Sequence, residues 1–527
     1  MTPRRLAAAA LAILAFSACG QRGKRAESVI FRRLEGEPKT LNPLLATTDP
    51  ENMVLALLVR NLLDYDEKLE LKPGLAESVA VSSDQRTYTV RLFPGLRWEN
   101  GRPVTSEDVA CTIRTLVDPG TPALSRKSYW EGFEKVEIVD DRTTRVVFRE
   151  PYAGRLEAFN LPLIPAADYE RTDVNTNPRN RLPLANGPYR LGRWEAGRTL
   201  DLVRNTQYVG EKPGPEKIVF RVVPENAAAF QALLSGELHE MRVTYEQKAR
   251  LAGDTTAAAR PLVFEELGYT YIGWRNDHPL FSSPKVRRAL TMLIDREGIA
   301  RSLYGGLATP ATGPIPPGLW PFDPTIAAWP YDPKGAEALL DEAGFRTGPD
   351  GVRRRGRERF AFALLLGAGS EIQRQITEVI QQSYRRAGIE MAIRPMEWAA
   401  FASRVDAGDF DAAILAYSLD PNPDLAPYWH SSQKAPKGWN TVGYSNPKAD
   451  ALMDRLRTTF DRAEARRLYA ELLRIIHEDE PATFLHNVKT RWGLSKRLTG
   501  VRTSPIGLFL FWPGGSAWRV GTAIAPL

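Results

Sequence analysis

Between Phe360 and Tyr417 the chain spells strand, helix, strand, helix, strand with short joins, and that order leaves few folds open. FAFALLL (Phe360–Leu366) is a continuous apolar run of the buried-strand kind. Ser370 then caps a helix in which Ile372, Ile376, Val379, Ile380 and Ala387 share one face, and Gly388 ends it. EMAIRPM is the next strand, Trp398–Ala407 the second helix and DAAILAY (Asp411–Tyr417) the third strand. Strands joined through helices lie parallel with right-handed crossovers. Ligands in such sheets sit beyond the carboxyl ends of the strands. The stretch at that place reads DPNPDLAPYW, where turn formers, acids and aromatics replace all periodicity.

At 527 residues the chain is too long for one core and predicts about three to four domain-sized units. The earlier half is richer in strands. VIFRRLEG (Val29–Gly36) alternates like a strand, and ENMVLALLVRNLL (Glu51–Leu63) has helical spacing after Asp49-Pro50. Arg86–Val104 predicts a hairpin region turning at ENG, and Thr105 offers a cap to the helix VACTIRTLV. Lys135–Phe148 predicts a strand pair around Asp140-Asp141, and Asn186–Val223 three more strands. AAAFQALLSGEL (Ala227–Leu238) is a short helix stopped by Gly236.

Hydrophobic content of 43% and charged content of 25% are those of a globular chain. The formal charge of +7 is thinly spread. Its densest run, RRRGRER (Arg353–Arg359), reads as a solvated hairpin edge rather than a nucleic-acid patch, so no nucleic-acid partner is expected. At the start, Arg4-Arg5 and LAAAALAILAF form an apolar run too short to span a bilayer stably. Small residues precede Cys19 and a polar GQRGKR follows it, the pattern of an export signal. It resembles a bacterial lipobox, with Phe16 where Leu is usual, so residues 1–18 are expected to be removed and Cys19 lipidated. Cys111 is then left alone in a helix, and the mature chain can form no internal disulfide.

Catalytic motifs are sparse. No G-x-x-x-x-G-K-[ST] loop and no G-x-S-x-G elbow occurs, and none of the five histidines forms H-E-x-x-H. GAGS (Gly367–Ser370) lacks the third glycine of a dinucleotide turn and reads as a tight connection. HEDE (His477–Glu480) reads as a solvated helix end rather than a metal site. Neither an enzyme nor a cofactor is expected. Of twelve tryptophans, Trp320, Trp329, Trp429 and Trp439 fall in segments rich in Pro and Gly. Each is a core or loop anchor or the wall of a ligand cleft.

YIGWRNDHPLFSSPKVRRALTMLIDREGIARSLYGGLATPATGPIPPG (Tyr271–Gly318) resembles the central signature of the family 5 extracellular solute-binding proteins. GEPKTLNPLL, FPGLRWENGRPVTSEDV, ANGPYRLGRW, Glu397-Trp398 and GYSNPKADALM follow the family pattern in order. The resemblance implies the oligopeptide- and dipeptide-binding receptors of bacterial ABC importers. It implies an α/β, two-lobed periplasmic-binding-protein type II fold with a β-rich subdomain inserted in the first lobe. On this chain that gives a first lobe of 19–57, 189–270 and 488–527, an inserted subdomain of 58–188 and a second lobe of 271–487.

The resemblance also implies a site. Ala416, Tyr417 and Ser418 would pair with a ligand backbone as an added strand, and Asp420 would hold the ligand ammonium. Asp424 competes for that role, and Asp420 alternatively only starts the turn before Pro421. Trp398, Trp439 and Asn440 are wall candidates by their place in family motifs. No motif picks out a partner for the ligand carboxylate. The implied partners are a short peptide, permease subunits and, through the lipid, the membrane. A non-peptide ligand in the same role and a secreted hydrolase are the other readings.

Overall fold

The computed structural model describes residues 29–521; Cys19 and the export signal lie outside the described residues. The architecture is organised by one 12-stranded sheet whose strands contribute to several hydrophobic cores.

The first part of that sheet begins with β1 (Val29–Leu34), which packs on helix α1 (Asp49–Leu58). Thr48 and Glu51 close a reciprocal capping box on α1 and Pro50 sits in its first turn, which fixes where the helix starts. The helix ends at Leu58 rather than running on to Leu63, because Val59 turns extended and Leu63–Tyr65 pairs as a short strand.

Residues between α1 and the next part of the main sheet form a separate four-stranded antiparallel sheet. Its strands are β2 (Ala76–Val81), β3 (Thr87–Leu92), β4 (Phe133–Asp140) and β5 (Thr143–Phe148), in the order β2-β3-β5-β4. Helix α2 (Ser106–Val117), boxed by Thr105 and Asp108, completes this core around Trp98, Phe148 and Phe159. Cys111 is buried in it as a small apolar side chain. The ENG turn forms, with Gly101 at φ +85, but its arms share only the Arg97–Pro103 bridge; β3 pairs with β2 and β5 instead.

The main sheet resumes with β6 (Tyr189–Glu195), β7 (Thr199–Arg204), β8 (Lys217–Val222), β9 (Glu240–Arg242), β10 (Ala259–Glu265) and β11 (Gly268–Trp274). The repeating unit supplies β12 (Ala361–Gly367), α3 (Glu371–Arg386), β13 (Glu390–Met396), α4 (Trp398–Ala407) and β14 (Ala412–Ser418). Its strands are parallel, as expected: β12 pairs with β13 and with β14. Helices α5 (Pro447–Arg457) and α6 (Arg462–Asp479) cover a further core, and β15 (Ala482–Ser495) closes the sheet. Ten of the twelve strands run in the order β13-β12-β14-β11-β15-β9-β1-β8-β7-β6, while β10 and the short strand Ala308–Pro310 pair with β15 off this path. The first half of β15 pairs with β11 and its second half with β10 and β9, so one strand belongs to both parts.

Three further sequence expectations change in the structure. On α3 the buried stripe is Ile376, Thr377, Ile380, Ser383 and Tyr384, while Val379 is exposed. Arg353 is not solvated: its guanidinium is buried and bonds Asp341 and the carbonyls of Phe345 and Ala387, holding the small hairpin onto α3's end. The HEDE end is packed as well. His477 stacks on Trp329 at 4.7 Å, and Glu480 is 2% exposed. The Thr291 hydroxyl donates to Glu480, and burial raises that carboxyl to about 7.

Candidate functional site

The site begins with the way β14 ends. Ala412, Ala413 and Ile414 are buried, and from Leu415 onward the strand alternates partly buried and exposed residues. On one side β14 pairs with β11 along its whole length, from Trp274↔Ala412 to Gly268↔Ser418. On the other side β12 matches it only at Leu364↔Ala412 and Leu365↔Ala413. Among the described residues Leu415–Ser418 therefore presents a strand edge with no neighbour, the geometry at which an extended chain can add. A cavity of about 330 Å³ lies against Leu415–Tyr417, walled by Val405 and Asp406 of α4 and by Tyr428 and Trp439. The aromatic wall is continuous: Tyr417 lies 4.5 Å from Tyr428, which stacks on Trp439 at 5.5 Å.

Beyond the strand, the DPNP loop lies between the second half of the chain and the inserted sheet's elements. The hydroxyl of Tyr129 donates to Asp420, which is otherwise exposed. Burial first and then the Asp420 charge raise the Tyr129 phenol, so it stays a donor. Asp424 is more heavily engaged: Tyr152 donates to it at 3.1 Å, Arg457 lies 3.3 Å away and the Ala426 amide donates at 2.9 Å. The Tyr469 hydroxyl donates to the Pro423 carbonyl, and Pro421 and Pro423 restrict the loop further.

Two cavities flank this loop. One of about 270 Å³ holds Asp420, Arg126, Asn52, Tyr65 and Leu510, and is closed by α1 and the segment after Ile506. The other, of about 510 Å³, holds Glu157, Lys68, Trp320 and Asp424 and the basic ends of α5 and α6. Glu157 is linked to the first cavity through Tyr65, whose hydroxyl donates to it. Burial, and then the neighbouring Asp420, push the Glu157 carboxyl up to about 8. Burial lowers Arg126, against the pull of Asp420.

Ala416, Tyr417, Ser418, Trp439 and Asp420 thus lie along one continuous path. Trp398 is 66% exposed at the start of α4, against Gly367 and Phe401, and lines none of these cavities. Asn440 is fully buried: its amide donates to the His430 and Tyr444 carbonyls and accepts from the Tyr444 amide, which leaves its side chain no free group for a ligand. Trp429 is core, and Trp320 packs edge-on against Tyr469. Tyr129, Tyr152, Arg126 and Glu157 went unread in the sequence, because no motif marks them and only tertiary folding carries them to the loop. Among the described residues no group of three or more His, Cys, Asp or Glu is placed to hold a metal ion.

A family model for bacterial extracellular solute-binding proteins, family 5 Middle, matches residues 70–439. The oligopeptide-binding protein AppA of Bacillus subtilis (strain 168) is 30% identical over 497 residues, covering 89% of this chain and 88% of its own. The glutathione-binding protein GsiB of Escherichia coli (strain K12) is 27% identical over 495 residues, covering 90% and 91%. The solved structure of Bacillus subtilis AppA in complex with a nonapeptide superposes with a TM-score of 0.77 at 27% identity, covering 94% of this chain and 99% of that one. The α/β architecture is accordingly the two-lobed type II periplasmic-binding-protein fold with its inserted β-rich subdomain.

Proposed function

The chain belongs to family 5 of the bacterial extracellular solute-binding proteins, a family of receptors, and from that premise we propose that it captures short peptides for an ABC importer. The observation that carries this reading is the open edge of β14 running directly into Asp420. A peptide backbone is a row of amides and carbonyls that must be satisfied on leaving water, and a free strand edge satisfies them without reading side chains. Its ammonium needs a carboxylate at the end of that row. Asp420 suits the role better than Asp424, which already faces Arg457 and Tyr152.

Residues 19–57, 189–270 and 488–527 form the first lobe in this reading, 58–188 the inserted subdomain and 271–487 the second lobe. Ligand is enclosed when the lobes close, and the closed form engages the permease. Cys19 carries a lipid that holds the receptor at the membrane. Among the described residues no helix is long and apolar enough to cross one. Replacing Cys19 by Ala should move the protein from the membrane to the soluble fraction of its host.

The deciding experiment is to purify the protein from its host without unfolding it, release the bound material with acid and identify it by mass spectrometry. A ladder of short mixed-sequence peptides is the expected result. A single non-peptide species would overturn the peptide reading and leave the receptor role in place.

A further inference from the structure

Arg126 projects into the same 270 Å³ cavity as Asp420. It is partly buried, and among the described residues no hydrogen bond or ion pair engages its guanidinium. Only the field of Asp420 opposes the cost of its burial, and the two do not pair: the Asp420 carboxylate takes its hydrogen bond from Tyr129 instead. The Arg126 donors keep some contact with water and stay available, so an anion entering the cavity would meet a guanidinium already partly desolvated and aimed at no other acceptor. Three nearby arginines are spoken for: Arg60 pairs with Asp64, Arg155 donates to the Tyr129 carbonyl, and Arg457 faces Asp424; Arg462 and Arg466 line the other cavity, away from Asp420. Beside the mutually paired Arg60 and Asp64, the cavity therefore holds one further carboxylate, Asp420, and one unmatched guanidinium, Arg126, facing the same small space.

A plain peptide amino terminus answers only half of that arrangement. Resting on the peptide-receptor reading, we propose that Arg126 is a specificity residue that binds a carboxylate carried by the ligand's first residue, beside the ammonium held by Asp420. The geometry selects a zwitterionic head. Two chemistries supply one: the free α-carboxylate of a γ-linked glutamyl residue, or the side-chain carboxylate of an ordinary amino-terminal Glu. The planar fork of Arg suits either, since it grips a carboxylate through two parallel bonds.

The test is calorimetric titration of the ligand-free full chain with four peptides: γ-Glu-Ala-Ala, Glu-Ala-Ala, Gln-Ala-Ala and Ala-Ala-Ala. At least one of the acidic pair should bind about tenfold or more tighter than the neutral pair, and whichever does so identifies the source of the carboxylate. Arg126→Gln should erase that margin while leaving Ala-Ala-Ala within about threefold of its wild-type affinity. No acidic preference, or an equal loss for all four peptides, overturns the role of Arg126; binding of Ala-Ala-Ala would then still uphold the peptide receptor. Failure of all four to bind would overturn both. A melting curve verifies the fold of R126Q, and the wild-type ranking decides the question even without that variant.

Discussion

The hydroxyl of Tyr152 donates to Asp424 at 3.1 Å, and Arg457 approaches the same carboxylate at 3.3 Å. Tyr152 comes from the segment after β5 and Asp424 from the loop after β14, so the contact joins two walls of the 510 Å³ cavity. The Ala153 amide donates to the Arg457 carbonyl at 2.7 Å and reinforces it.

If this contact fastens the closed state, Tyr152→Phe should raise the ligand dissociation rate while changing association little. A hydrogen bond to a charged group, about 1.5–3 kcal/mol, corresponds to a roughly 10- to 150-fold faster release. Stopped-flow tryptophan fluorescence would measure it; an unchanged off-rate would show that Tyr152 is not part of the fastening.

Asp420→Ala should cost a free-amino peptide about 1.5–3 kcal/mol, the range for a hydrogen bond to a charged group. The same peptide with an acetylated amino terminus should bind wild type and variant alike. Titration of both peptides against both proteins separates loss of the ammonium contact from a general collapse of the loop.

Glu157 gives a pH signature. Its carboxyl, raised to about 8 from an ordinary 4.5, keeps a proton in the folded state that the unfolded chain releases. The folded state therefore binds more protons between those values, and stability from this group falls as pH rises through that window. Melting temperatures of wild type minus Glu157→Gln should decline from about pH 4.5 to about pH 8 and be flat beyond. Because Asp420 contributes to the shift, Asp420→Asn should bring the upper edge of the window down.

Away from the site, Arg32 and Glu240 form an ion pair of 3.0 Å with side chains 1% and 0% exposed, and the guanidinium lies 3.9 Å over the Phe509 ring. Glu240→Ala would leave that cation buried alone, at a cost of about 3–5 kcal/mol. Chemical denaturation followed by tryptophan emission should show the loss; a change below about 1 kcal/mol would mean that water reaches Arg32.

What could be read in advance followed the range of the interactions. β12 to β14 were legible because hydrophobic runs, Ser370 as a cap and Gly388 at φ +78 are all local signals. The strand edge at Ala416–Ser418 and the acidic loop beyond it followed from the same pattern together with the family resemblance. The engagement of Asn440 could not be foreseen, because its partners His430 and Tyr444 are set by how the loop folds back. Arg353 and Glu480 misled for the opposite reason: charged residues in charged runs read as solvated, and burial by distant segments is invisible in the run itself. Tyr129 and Asp420 are 291 positions apart, so no spacing rule joins them.

β15 gives the two halves of the molecule a common spine, with the change of partners falling between the β11 pairing at His486 and the β10 pairing at Lys489. Ala308–Pro310 pairs with β15 across that interval, from Pro310↔His486 to Ala308↔Val488, so the strand is laddered along its length and the proposed closure would load it as twist spread along the strand. A receptor so built would work less like a door on a slack tether than like a torsion bar held along its length. The angle of the proposed closure and the force that restores it would then be set in the sheet, remote from the residues proposed to touch the cargo.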